Sequence, residues 1–89
     1  MATVHFTRWL KGVAPSGPVE IEGETVGRVL DRLFAENEGA RNYVLDEQGQ
    51  LRKHVCIFLD GERLAHKAAL AAPIAANSEI YVMQALSGG

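Results

Sequence analysis

The carboxyl end of the chain carries the residues best suited to chemistry, because the sequence finishes with Leu86-Ser87-Gly88-Gly89. A glycine carboxylate has no Cβ beside it, so an enzyme can enclose it in a narrow channel and a nucleophile can reach its carbonyl carbon from either side. The alternative is an ordinary frayed end, since small residues tolerate disorder at termini. The doublet therefore indicates a reactive terminus only if the preceding residues build a domain that presents it.

Other reactive side chains lack a supporting arrangement. Cys56 lies in the middle of an apolar run with only His54 nearby, and we interpret it as a buried small hydrophobic residue rather than a nucleophile. The three histidines lack the spacing and the cysteine or carboxylate neighbours of a zinc site, so we assign no metal: His5, His54 and His66. The basic pairs are read as solvated charge, with an acidic partner as the alternative: Arg52 with Lys53, and Arg63 with Lys67.

The composition restricts the kind of protein this is. Eighty-nine residues suffice for one compact domain, and 47% hydrophobic residues without a long polar tract predict a folded unit, monomeric when free. A net charge of −2 and no basic stripe argue against nucleic-acid binding. The apolar stretch 68–76 is too short to span a membrane, and the first residues lack a signal-peptide pattern. With a single cysteine, these features predict a cytoplasmic protein without membrane association.

The first half of the chain predicts two strands and a helix. Thr3–Leu10 and Val19–Glu22 alternate apolar and polar residues on either side of a Pro/Gly turn cluster. Thr25 is placed as a helix N-cap, and the helix is expected to end near Asn37–Gly39. Gly27 inside this helix costs about 1 kcal/mol relative to alanine, which indicates either close backbone packing or a tolerated imperfection. One helical stripe is apolar: Val26, Val29, Leu30, Leu33 and Phe34.

The second half predicts further strands. Residues 41–50 are interpreted as irregular, with a turn at 46–49, and Val55–Leu59 as a strand. The Asp60-Gly61 pair predicts a tight reversal into a short strand at 63–64. After an alanine-rich connection, Glu79–Ala85 is the final strand and runs directly into the glycine tail. This order predicts an α+β domain, a mixed sheet of four to five strands with one main helix on one face and the last strand parallel to the first in mid-sheet.

Three side chains are candidates for contact with a partner. If Ile80 and Val82 face the helix, Tyr81 and Met83 face outward on the last strand, and Phe58 has the corresponding parity on its own strand. An exposed aromatic and thioether patch suits docking. The alternative is that these side chains pack under the loop 41–51.

The order of elements and four local segments resemble the MoaD/ThiS family of ubiquitin-like sulfur carriers. The segments are Thr25–Leu30, Val55–Glu62, Ala72–Val82 and Gln84–Gly89, and the resemblance covers nearly the whole chain. Within the family, the segment around 55–62 and the residues ahead of the glycines are closest to the cysteine-biosynthesis type. The resemblance implies a β-grasp domain at 1–85 and a flexible diglycine tail at 86–89.

The resemblance also implies the chemistry of the tail. An E1-like adenylating enzyme would use ATP to convert the Gly89 carboxylate into an acyl-adenylate, and a sulfur donor would displace AMP to leave a thiocarboxylate. Gly88 would give access, and Ser87 and Leu86 would be read by partners, which include a sulfur-accepting synthase and a JAMM-type metalloprotease. Four extended residues from Leu86 reach about 13–14 Å, enough to enter a buried active site. The domain itself would be no enzyme and bind no cofactor.

Other functions share these features. A protein modifier would be joined through Gly89 to target lysines after the same adenylation step. A molybdopterin-synthase small subunit would insert its tail into a synthase, and a plain binding module would leave its glycines idle. Replacement of a terminal oxygen by sulfur indicates a carrier, whereas lysine conjugates indicate a modifier.

Overall fold

The computed structural model of the protein describes residues 1–6 and 17–84. Within these ranges, two strands, two helices, two more strands, a 3₁₀ helix and a last strand follow one another along the chain. The strands are β1 (Ala2–Phe6), β2 (Val19–Ile21), β3 (Val55–Leu59), β4 (Glu62–Arg63) and β5 (Glu79–Gln84). The helices are α1 (Val26–Phe34) and α2 (Glu38–Val44), followed by a 3₁₀ helix at His66–Ala71.

The strands form one mixed sheet in the order β2-β1-β5-β3-β4. β1 pairs with β2 in antiparallel fashion and with β5 in parallel, and β3 is antiparallel to both β5 and β4. The predicted α+β class, with the last strand parallel to the first in mid-sheet, is confirmed. β5 is therefore bonded to a neighbour on each side.

The core lies between the sheet and the helices. The predicted stripe of α1 is buried in full, and Val4, Ile57, Ile80 and Val82 face it from three strands. Buried residues of α2 and of the 3₁₀ helix join the same core, so these helical segments cover one face of the sheet. The predicted N-cap is confirmed, because the Thr25 hydroxyl accepts a hydrogen bond from the Arg28 amide at 3.2 Å.

Gly27 marks a close approach between two helical segments. A Cβ on this residue would lie 2.8 Å from the carbonyl oxygen of Leu70 and 3.3 Å from its Cβ. Of the two interpretations of Gly27, close backbone packing is therefore the correct one. The absence of a side chain lets α1 lie directly against the 3₁₀ helix.

The helical content differs from the prediction in two places. α1 ends at Phe34, earlier than the expected Asn37–Gly39, and the Asn37 side chain donates to the Leu33 carbonyl just after the helix end. A second helix, Glu38–Val44, occupies part of the segment predicted as irregular. It buries only two side chains, too few for a visible periodicity, so tertiary packing rather than local pattern stabilises it.

The remaining boundaries agree closely with the predictions. The alanine-rich connection contains the 3₁₀ helix, and the short strand after the turn is Glu62–Arg63, one residue earlier than predicted. Residues 7–10 of the first predicted strand and Ala85 of the last lie outside the described residues, as does the predicted boundary between domain and tail. No helix in the described ranges is long and apolar enough to cross a membrane.

Candidate functional site

The strand that leads to the tail is held on both edges. Residues 79–82 of β5 pair with residues 3–6 of β1. Residues 80–84 of β5 pair with all five residues of β3. Gln84, its last residue, lies opposite Val55. The predicted tail residues themselves lie outside the described residues: Leu86, Ser87, Gly88 and Gly89. The structure therefore describes the anchor of the tail, which is a central strand.

The three predicted docking residues share the face of the sheet opposite the helices. Phe58 lies opposite Tyr81 on the neighbouring strand, and Met83 lies opposite Cys56. Tyr81 is 40% exposed, whereas Met83 and Phe58 are half-buried. All three thus lie on the face that their parity predicts, and Tyr81 has the most accessible side chain of this group.

His5 completes this face in a way that the sequence does not predict. Its ring stacks on Tyr81 with centroids 4.2 Å apart and planes 6° from parallel. Its Nε2 also donates to the Glu79 carboxylate at 2.6 Å. The alternation of β1 shows that His5 points away from Val4, but only the parallel register of β1 and β5 brings it beside Tyr81. We call His5, Phe58, Glu79, Tyr81 and Met83 the open-face patch.

A polar network fixes the start of β5. The Asp60 carboxylate accepts hydrogen bonds from the Glu79 amide at 2.8 Å and from the Ser78 hydroxyl at 3.1 Å. Ser78 is only 2% exposed, and its oxygen also accepts from the Ala75 amide. The predicted reversal at Asp60-Gly61 is confirmed, with φ of 50° and 89° as a type I′ hairpin turn requires. The turn therefore ties the β3–β4 hairpin to the entry of β5.

The cysteine and the histidines form no reactive cluster in the described ranges. Cys56 is 8% exposed and unpaired by any disulfide, which agrees with its interpretation as a buried hydrophobic residue. The His66 Nε2 lies 3.0 Å from the Arg52 carbonyl oxygen, a contact within the fold. No group of three or more His, Cys, Asp or Glu side chains with a metal-binding arrangement occurs among residues 1–6 and 17–84.

Comparison with solved structures identifies the fold. SAMP1 from Haloferax volcanii matches with a TM-score of 0.77 and 28% identity, over 99% of this chain and 98% of that chain. CysO from Mycobacterium tuberculosis matches with a TM-score of 0.83 and 25% identity, over 97% and 100%. The BexX/CysO complex from Amycolatopsis orientalis contains a chain that matches with a TM-score of 0.84 and 20% identity, over 100% of both chains. This is the ubiquitin-like β-grasp fold.

The β-grasp neighbours are sulfur carrier and modifier proteins of the MoaD/ThiS type, as the sequence resemblance predicts. They are small carriers or modifiers rather than catalytic enzymes. No family model matches the sequence, and a search of curated proteins finds no match. The likeness covers 98–100% of the three neighbouring chains named above.

Proposed function

We propose that the protein is a sulfur carrier that works through a thiocarboxylate at Gly89. One observation carries the proposal: in a fold shared with CysO and SAMP1, β5 is paired with a strand on each side and ends at Gln84, five residues before Gly89. We propose residues 1–85 as the domain and residues 86–89 as the tail on which partners act. In this proposal the domain anchors the start of the tail, and other proteins act on the end of the tail.

The proposed chemistry needs activation because a carboxylate is a poor electrophile. The Gly89 carboxylate attacks the α-phosphorus of ATP on an E1-like enzyme, and pyrophosphate leaves. A donor at the oxidation level of sulfide then attacks the acyl carbon, AMP leaves, and the thiocarboxylate remains. Its sulfur attacks an activated acceptor and displaces the acceptor's leaving group, which gives a thioester; hydrolysis of the bond between the acyl carbon and sulfur leaves the sulfur on the acceptor and returns the Gly89 carboxylate. ATP is bound by the partner, and Gly88 keeps the reacting carbonyl free of side-chain clashes.

We further propose that the open-face patch contacts the adenylating enzyme. Tyr81 and Met83 lie on the strand that continues into the tail, so a partner that encloses Gly89 stands beside them. Phe58 extends the patch onto β3. Aromatic and thioether side chains suit such an interface because they bury much area and adapt their shape. In this proposal, the adenylating enzyme recognises Ser87 and Leu86 inside the channel that encloses Gly89.

The acceptor pathway is proposed to be cysteine biosynthesis. The support is the sequence resemblance around 55–62, to which the CysO structures add that the fold is shared. One of these structures is a complex of CysO with BexX, so that neighbour assembles with a protein partner. For this chain we propose three kinds of partner: the adenylating enzyme, a sulfur-accepting synthase, and a JAMM-type metalloprotease that frees the tail.

A second candidate function is protein modification. SAMP1 is named a small archaeal modifier protein, and it matches this chain at 26–28% identity. In that function the adenylated Gly89 forms an isopeptide bond with a target lysine instead of taking up sulfur. Both functions need the same tail and the same activation step.

Intact mass spectrometry of the protein purified from its native host tests the proposal. A carrier shows a fraction whose mass corresponds to one terminal oxygen replaced by sulfur, and a variant lacking Gly89 loses that fraction while it stays folded. If lysine conjugates are found and no thiocarboxylate is found, the protein is a modifier and not a carrier. Full loading of the variant lacking Gly89 would exclude both functions.

A further inference from the structure

Exposed cations gather at the end of the sheet where β5 leaves the domain. The segment Arg52-Lys53-His54 comes directly before Val55, which lies opposite Gln84. The start of the 3₁₀ helix reaches the same place, because the His66 Nε2 contacts the Arg52 carbonyl oxygen at 3.0 Å. We define the tail-end patch by its four exposed side chains: Lys53, His54, His66 and Lys67.

Among the described residues, no carboxylate forms an ion pair with the lysines of this patch. Arg52 is engaged inside the fold, since its Nε donates to the Asn42 carbonyl at 2.7 Å and its charge faces Asp46. Glu47 is the other acid on the neighbouring turn and is exposed. Across residues 1–6 and 17–84, the one contact within 4 Å between a carboxylate oxygen and a Lys, Arg or His nitrogen is His5–Glu79, at the other end of β5 from Gln84. Lys53 and Lys67 therefore present their charge to solvent.

The opposite end of the sheet has a different charge. Acidic side chains gather where β2 ends, at the β3–β4 turn and where β5 begins: Glu22, Glu24, Asp60, Glu62 and Glu79. Cations lie at this end too: Arg63 follows Glu62 on β4, and Arg28 and Arg32 line a surface cleft of about 520 Å³ together with Glu22 and Glu24. Carboxylates therefore outnumber cationic side chains at this end of the described domain, whereas Lys53 and Lys67 lie at the tail end with no carboxylate within 4 Å among the described residues.

The length of the tail decides where a partner stands. Five residues follow Gln84, and fully extended they reach about 17 Å. An enzyme that encloses Gly89 therefore approaches the end of the sheet that carries the tail-end patch. Charges on that enzyme act on the patch where the two surfaces come within about one Debye length, about 8 Å at physiological salt.

We infer that the tail-end patch receives an acidic surface beside the channel of the activating enzyme, and that this attraction brings the domain to the enzyme tail first. The inference rests on the proposed function and names a feature of the partner: a cluster of carboxylates at the mouth of its channel. Complementary charge of this kind acts on the association rate more than on the chemistry. It is also weakened by salt.

A pair of matched double variants tests the inference. K53E/K67E reverses the tail-end patch, and R28E/R32E makes the same change of four charge units at the opposite end. Each purified protein is added to a native-host extract with ATP and sulfide, at a concentration that does not saturate the activating enzyme. Thiocarboxylate formation is followed by intact mass spectrometry at low and high salt. We expect K53E/K67E to form the thiocarboxylate at least about five times more slowly than the wild type at low salt. Its loading rate should also lose most of its dependence on salt. R28E/R32E should keep the loading rate and the salt dependence of the wild type.

The outcomes distinguish failure of the proposed function from failure of the inference. A wild-type chain that stays a carboxylate under all conditions removes the proposed function and the inference with it. Wild-type loading that K53E/K67E and R28E/R32E affect equally overturns the inference alone. The neutral variant K53Q/K67Q serves as a second test if charge reversal lowers the melting temperature, and it should show an intermediate loading rate.

Discussion

The ring of His5 lies flat on the ring of Tyr81, with centroids 4.2 Å apart, and the same histidine donates to Glu79 at 2.6 Å. These contacts join β1 to β5 on the face of the sheet that the described helices leave uncovered. They hold the tyrosine in one orientation through a neighbouring strand. Three of the five side chains of the open-face patch are therefore linked by contacts within the domain itself.

The stack should contribute measurably to stability. His5→Ala removes the ring and leaves Glu79 without its donor, so we expect the free energy of unfolding to fall by about 1 kcal/mol in urea titrations. His5→Phe keeps the stacking and should recover part of this loss. Thr3→Ala, on the same strand and the same face, is the control, and an equal loss there would contradict a specific role for the stack.

Tyr81 should matter for loading beyond its contribution to stability through the His5 stack. Tyr81→Ala removes the most exposed aromatic ring of the open-face patch, so thiocarboxylate formation in the host extract should slow by about tenfold while the domain stays folded. Tyr43→Ala is the matched control, because that ring is 48% exposed but lies on α2. If both variants load at the same rate, the partner contacts another surface.

Ser78 should be the most sensitive polar position in the described part of the fold. Ser78→Ala leaves the Ala75 amide without its acceptor and Asp60 without one donor, at a site that is 2% exposed. We expect a loss of about 1–2 kcal/mol in chemical unfolding. Glu62→Ala in the adjacent exposed strand provides the comparison, and a similar cost for the two changes would show that the network adds nothing.

Gly27 should resist replacement although alanine favours helices. A Cβ would lie 2.8 Å from the Leu70 carbonyl oxygen, which belongs to backbone and has little room to move. Gly27→Ala gains about 1 kcal/mol of helix propensity but forces the 3₁₀ helix away, and we expect a net loss of about 1–2 kcal/mol. Asp31→Ala on the exposed side of α1 should be close to neutral. A melting temperature above that of the wild type for Gly27→Ala would disprove this packing argument.

Asp46 should make stability depend on acid pH. The hydrogen bond from the Gln50 amide, followed by that from Gln48 and the charges of Arg52 and Arg41, lowers the pKa of Asp46 below its ordinary 3.8, although desolvation opposes the shift. A carboxyl with a lowered pKa in the folded state stabilises it above the unfolded pKa, and this contribution is lost as the pH falls through the folded value.

A pH series of unfolding curves tests this sign. The advantage of the wild type over Asp46→Asn should be constant above about pH 5 and should shrink below 3.8. Glu47→Gln, on the same exposed turn, serves as the reference substitution. An advantage that grows toward acid would reverse the assignment.

Local patterns predicted the elements whose signals lie within a few residues. The stripe of α1, the alternation of β5 and the Asp60-Gly61 turn were each confirmed, because periodicity and turn chemistry report on short segments. α2 was missed because two buried residues give no visible period. The His5–Glu79 contact joins residues 74 positions apart, so it depends on a strand register that no local pattern encodes. The open-face patch was therefore predicted only in part.

The central position of β5 has a mechanical consequence. A pull on the terminus loads this strand along its axis, and the hydrogen bonds to β1 and to β3 lie across that axis, so both rows resist in shear and must fail together. A peripheral strand pulled in the same direction would be held by a single row. An enzyme can therefore draw the last residues deep into a channel, and even tug on them, without unravelling the body to which they are attached.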